Sequence, residues 1–148
     1  MKPKFTFTLL ILVFCSIFSL QAQNPIYKEA TLSHPAEQWN PVKLDADGNH
    51  VRNGVLFYKH AADCGSDRVK LFKLVNMNDY AVKVSIQYSP EDPQVIITIP
   101  ASSSLEGACN STDVNKSKLV FKVKPNMTEE EKKKNADFAR DHIQVTRA

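Results

Sequence analysis

From Tyr80 to Tyr88 the chain alternates one residue at a time. Tyr80, Val82, Val84, Ile86 and Tyr88 fall on one side, and Ala81, Lys83, Ser85 and Gln87 on the other. Successive side chains of an extended chain point to opposite faces, so this segment predicts a half-buried strand with Val84 and Ile86 in the core. Val95, Ile97 and Ile99 repeat the pattern after a turn at Ser89–Pro93. Before them, residues 68–75 are apolar on both faces, with Val69 and Leu71 on one and Phe72 and Leu74 on the other. With Asn76–Asp79 as a turn, the three segments predict an antiparallel meander.

Weaker strand patterns flank this centre. Val55–His60 is rich in strand formers, and Pro41–Leu44 fits a short edge strand, where proline is tolerated. Leu119, Phe121 and Val123 alternate with lysines, and Ile143 and Val145 predict a last strand. Residues 100–116 are rich in Ser and Asn and read as a long loop. One segment departs from the β pattern. Thr128 followed by Glu131 is a capping box, and the acids precede the lysines, as a helix dipole prefers. Only Ala136, Phe138 and Ala139 give it an apolar face, so a short exposed helix is expected near 128–139.

About seven short strands with turns every 8–12 residues predict an all-β fold: an antiparallel β-sandwich of immunoglobulin-like type, with a small β-barrel as the alternative. No Trp lies between the two downstream cysteines, so the antibody core pattern is missing. Trp39 is expected to plug one end of the core.

The N-terminus follows a different rule. Lys2 and Lys4 precede an apolar run from Phe5 to Leu20, and Ala22 stands before Gln23. This basic, apolar, small-residue order is that of a secretory signal peptide over residues 1–22. The run carries Thr6, Thr8, Ser16 and Ser19 and is shorter than the ~20 apolar residues a membrane span needs. Cys15 follows Phe14 in mid-run, which is not the placement of a lipid-anchor cysteine, and it is expected to leave with the signal. The ending Ser19-Leu20-Gln21-Ala22-Gln23 resembles export signals of Gram-negative bacteria. The expected organisation is signal 1–22, an irregular segment 23–40 and one β-sandwich domain over 41–148. The expected address is the periplasm or the cell exterior, with no membrane span after cleavage.

Cleavage alters the charge. The whole chain has 19 Lys+Arg against 16 Asp+Glu, and the signal takes two lysines and no acid. The remainder is nearly neutral, which argues against a nucleic-acid partner. It is one domain of about 125 residues, large enough for its own core. Two cysteines remain, Cys64 and Cys109. An even pair in an oxidising compartment predicts one disulfide, closing a loop of about 45 residues and contributing roughly 4 kcal/mol on the chain-entropy account.

Catalytic chemistry leaves little trace. Asp45, Asp47 and Asn49 occupy the first positions of a calcium loop, but His50 stands where glycine belongs and Leu56 where the bidentate Glu belongs. A plain turn is expected there, with a looser calcium turn as the alternative. His34, His50, His60 and His142 share no i,i+2 or i,i+4 spacing, so surface or half-buried histidines are expected rather than a zinc site. There is no Gly-x-Ser-x-Gly, and four glycines in all leave no phosphate-cradling loop, so no cofactor is expected. The sequons at Asn110, Asn115 and Asn126 are taken as chance occurrences. These readings favour an exported, non-enzymatic module that binds a protein or glycan partner through loops 45–54, 61–67 and 100–116. The alternative is a small secreted hydrolase or metal-dependent enzyme using His and Asp from separate loops.

The export reading is checked by the intact mass of protein recovered outside the cytoplasm. A start near Gln23 is expected, and retention of Met1–Leu20 would overturn it.

Overall fold

The computed structural model describes residues 38–148. The signal, Cys15, His34 and most of the segment 23–40 lie outside the described residues. The chain forms β1 (Asn40–Pro41), β2 (Val51–Arg52), β3 (Val55–Cys64), β4 (Asp67–Asn76), β5 (Val82–Ile86), β6 (Val95–Ile99) and β7 (Ser104–Glu106). Helix α1 (Val114–Lys118), β8 (Val120–Lys122), helix α2 (Glu129–Asp141) and β9 (Gln144–Arg147) follow.

Two antiparallel sheets face each other. In the larger, β3 and β4 pair over their full length; β1 and β2 lie along the free side of β3, and β7 and β8 along the free side of β4. The smaller has the order β6–β5–β9. The sheets share no ladder, so the expected sandwich is the fold and the barrel is not. Nine strands occur among the described residues, against about seven expected; two of them, β1 and β2, are only two residues long.

Each connection has a local cause. Asn53 and Gly54, with φ of 47° and 73°, form the two-residue turn between β2 and β3, and Arg52 pairs with Val55 across it. Positive φ at both positions matches the right-handed twist of a hairpin, and Asn-Gly tolerates it best. Gly65, at φ 66°, opens the two-residue turn between β3 and β4. Thr128 accepts from the Glu131 amide while the Glu131 carboxylate accepts from the Thr128 amide, the capping box expected for α2. That helix runs two residues beyond the expected end.

The meander is corrected. β4 does not pair with β5; the chain leaves the larger sheet at Asn76 and enters the smaller at Val82. The physical reason lies in the two patterns. A strand apolar on both faces needs cover on both, so β4 sits at the centre of the larger sheet. A strand apolar on one face needs cover on one, which suits β5 in the outer layer. Residues 100–116, read as a loop, hold β7 and the first turn of α1. The expected edge strand at Pro41–Leu44 shrinks to Asn40–Pro41, because the chain turns away to bond Leu44 to Asn49.

Two apolar clusters result. The main core fills the space between the sheets, with Phe57, Phe72 and Leu74 against Val84, Ile86, Ile97 and Ile99. Val82, Val84 and Ile86 are buried and Lys83 is exposed, so the register read from the alternation is the observed one. The second cluster covers the outward face of the larger sheet with Leu56, Tyr58, Val69, Leu71 and Val75. Trp39 belongs to this outer cluster rather than plugging one end of the main core. Lys73, 1% exposed, faces the same side and pairs with Glu106 at 3.6 Å.

Cys64 and Cys109 are bonded, with Cα atoms 5.6 Å apart. Ile99 lies beside Asn76, at the end of β4 far from Cys64. The chain therefore has to return along the sheet, and β7 does so, pairing Ser104, Leu105 and Glu106 with Val75, Leu74 and Lys73. Gly107 then passes so close to Leu119 that an added Cβ would stand 2.5 Å from the Leu119 carbonyl oxygen.

Asn76 is fully buried. Its Nδ2 donates to the carbonyls of Tyr80 (2.8 Å), Ile99 (3.2 Å) and Pro100 (2.9 Å). Its Oδ1 accepts from the backbone and side-chain amides of Asn78. Asn76→Ala and Asn76→Asp are each expected to lower stability by about 2–4 kcal/mol, because both leave buried carbonyls without a donor. The buried Ser85 hydroxyl has no hydrogen-bond partner, and Ser85→Ala is expected to cost nothing. Urea denaturation of the three variants checks both statements.

Candidate functional site: a lysine-lined cleft

The two sheets differ in strand length. β3 and β4 have ten residues each, while β5 and β6 have five. The larger sheet therefore overhangs the smaller by about 17 Å at roughly 3.4 Å per residue. Burial follows this step. Residues 55–58 of β3 are buried, and from Lys59 onward the strand is half-buried or exposed.

On the inward face of the overhang the register sets Lys59 opposite Phe72, Ala61 opposite Lys70 and Asp63 opposite Arg68. These side chains point toward the space that the smaller sheet does not reach. Tyr88 closes the covered part, with its ring 5.9 Å from Phe72 and 5.4 Å from Phe121. Helix α2 roofs the rest, and it presents Lys132, Asn135, Ala136 and Ala139 to the space beneath. Alanines and polar residues cannot fill what an apolar helix face would fill, so a cleft stays open. It has two adjoining chambers of about 290 and 350 Å³, both lined by Lys70 and Tyr88.

The charges in the cleft are unbalanced. Lys132 pairs with Glu129, Lys122 with Asp67, Lys124 with Glu91, and Arg140 with Asp137. No acidic side chain among the described residues pairs with Lys59 or Lys70. The Lys70 ammonium donates to the Tyr88 hydroxyl at 2.5 Å. Burial, then the nearby Lys132, lowers the Lys70 ammonium below its ordinary pKa. Burial, then Lys70 and Lys43, lowers Lys59 likewise. Burial, then Asp92, raises the Tyr88 phenol to about 12, so it stays neutral and available to accept. Two half-buried cations that repel their neighbours make a site that lacks an anion.

The residues singled out from the sequence lie elsewhere. Asp45 turns both carboxylate oxygens onto Asn49, accepting from its backbone amide at 2.9 Å and its side-chain amide at 2.7 Å. These bonds hold the Asp45 carboxyl below its ordinary pKa and close a tight turn over Asp47 and Gly48. His50 lies against the Tyr58 ring, His60 donates from Nδ1 to the Gln38 carbonyl, and His142 donates to the Phe138 carbonyl. Among the described residues no three of His, Cys, Asp and Glu gather as a metal site. The Asn53-Gly54 turn and loop 61–67 occupy opposite ends of β3, so the expected contact loops do not form one surface. Residues 61–63 do reach the extension of the cleft, as part of the β3–β4 hairpin. Lys59 and Lys70 were missed by the sequence reading. Each is the lysine at which an apolar inward face ends, after Val55 and Phe57 in β3 and before Phe72 and Leu74 in β4, which is the signal that marks them.

No helix among the described residues is long and apolar enough to cross a membrane. Compared with known protein families, curated proteins and solved structures, the chain matches none.

An unpaired, half-buried cation costs stability in the empty protein. Lys70→Met is therefore expected to raise stability by about 0.5–1 kcal/mol, the gain typical of relieving a functional site. Thermal unfolding at neutral pH checks the sign. A destabilisation of more than about 1 kcal/mol would make Lys70 a structural residue.

Proposed function

We propose that this chain is an exported, non-enzymatic β-sandwich module that binds an acidic partner, protein or glycan, in the cleft beneath α2. The observation that carries the reading is the pair Lys59 and Lys70: half-buried, without an acidic partner, and lining a cleft of ligand size. A carboxylate or sulfate placed between them would relieve their mutual repulsion and gain charge-assisted hydrogen bonds. The disulfide and the N-terminal pattern support export to an oxidising compartment. The enzyme alternative needs His and Asp to converge, and no observation among the described residues favours it.

Titration calorimetry with acidic and neutral oligosaccharides and peptides tests the reading. Acidic ligands are expected to bind and neutral ones of equal size to bind at least about tenfold more weakly. The pH dependence follows from the lysines. Their lowered pKa values mean that charge is lost as pH rises, before an ordinary lysine would lose it near 10.4. Affinity should therefore fall as pH rises from neutral toward about 10, with proton uptake on binding at its upper end. Binding that is equal for neutral and acidic ligands, or flat over this range, would sink the proposal.

A further inference from the structure

The cleft does not end at Lys70 and Tyr88. On one side it runs past Lys59 toward Lys43 and Arg140. On the other it runs past Lys132 to Lys124, and continues over Val123 to Arg68 through a further open region of about 350 Å³. Neighbouring regions share Lys70 or Val123, so together they make one groove with cations along its whole length. A single small anion would use only one chamber.

Resting on the reading that the cleft binds an acidic partner, we propose that the groove holds a linear acidic polysaccharide lengthwise, several sugar residues at a time, with Lys70 and Tyr88 at its middle.

Two observations select this ligand. Tyr88, the aromatic at its centre, is half-buried and packed against Phe72 and Phe121, so it gives an edge and a hydroxyl but no open face for a nucleobase. Acids are interspersed with the cations: Asp63, Glu91, Asp92 and Asp137 all line the groove. They would repel a polymer charged at every unit. A polysaccharide carries anionic groups separated by hydroxyls, and hydroxyls donate to carboxylates. Mixed charges along the groove therefore match an acidic glycan and oppose a nucleic acid or a polyglutamate segment.

The test is a length series on the processed chain, read by calorimetry. The probes are glucuronate, then uronic-acid oligomers of two, four and six residues, a neutral hexasaccharide, hexaglutamate and a short single-stranded DNA. Affinity is expected to rise at least about tenfold from monomer to hexamer, as linked contacts act together. Lys43→Gln and Arg68→Gln, toward the two ends of the groove, should each weaken the hexamer severalfold and leave the monomer unchanged. Lys70→Gln should weaken both. Thermal unfolding of each variant shows that its fold is kept. If monomer and hexamer bind equally, the lengthwise mode is wrong and the anion cleft stands. If hexaglutamate or DNA binds more tightly than the uronic hexamer, the ligand class is wrong. If no anion binds, this inference and the reading beneath it fall together.

Discussion

Everything in this fold hangs on one buried amide. A sandwich made from one chain has to move that chain between sheets, and each crossing exposes carbonyls that no ladder can satisfy. Here two crossings come to the same place. The chain leaves β4 through 76–80 and leaves β6 through 99–103. Asn76, at the junction, shares its two side-chain N–H groups among the carbonyls of Tyr80, Ile99 and Pro100 and accepts from Asn78. Both crossings are closed against each other by a single side chain. Asn78 carries the tie further, donating to the Asn53 carbonyl and filling the space where Gly54 lacks a Cβ. The hairpin before β3, the exit from β4 and the exit from β6 therefore share one network at one end of the molecule.

That closed end explains the open one. With the sheets pinned at Asn76, five-residue strands can cover only the near half of ten-residue strands. The far half of β3 and β4 has to be capped by something else. The outward face is covered by the cluster that includes Trp39, and the disulfide ties that end of β3 to Cys109. The inward face receives only α2, a helix held by alanines. Apolar residues at positions 59 and 70 would let that helix settle onto the sheet and close the cleft. Lysines there keep it open, at a cost in stability that the Lys70–Tyr88 hydrogen bond offsets only in part. Where a fold spends stability on a cavity lined with unpaired charge, function is the physical reason to look for.

Much of the fold was legible in the chain, and its legibility tracked the strength of periodicity. Val82, Val84 and Ile86 gave their face and register without ambiguity, and Thr128 with Glu131 marked a helix start. A Cys64–Cys109 bond with Ile99 at the far end of β4 requires an extended return path, and β7 follows it. Pairing itself was not legible, since alternation gives a face and not a neighbour. Asn53-Gly54, the strongest hairpin signal in the chain, was absorbed into a loop because β2 is only two residues long. The cleft was the least legible part. Lys59 and Lys70 come together only through the register of β3 on β4, and their isolation from acids is a property of space, not of sequence.

Arg52 shows how the two ends of the molecule are coupled. It lies in β2, beside the hairpin that Asn78 secures. Its guanidinium donates to the carbonyls of Arg140 and Ile143, at the end of α2, and to the Leu44 carbonyl. A cation at a helix C-terminus satisfies carbonyls that the helix leaves unpaired and complements its dipole. The planar fork fixes direction as well as distance. The roof of the cleft is thus hinged from the Asn76 end of the sandwich, while its other end rests on the capping box at Thr128 and on ion pairs exposed to solvent. Solvent-exposed pairs contribute little, so the first turns of α2 are held weakly and the last turn firmly. An acidic chain entering the groove would meet Lys132 on the weakly held part and Arg140 on the firmly held part. Ordering of the first would follow from contact with the ligand, and the Arg52 clamp fixes where the second begins.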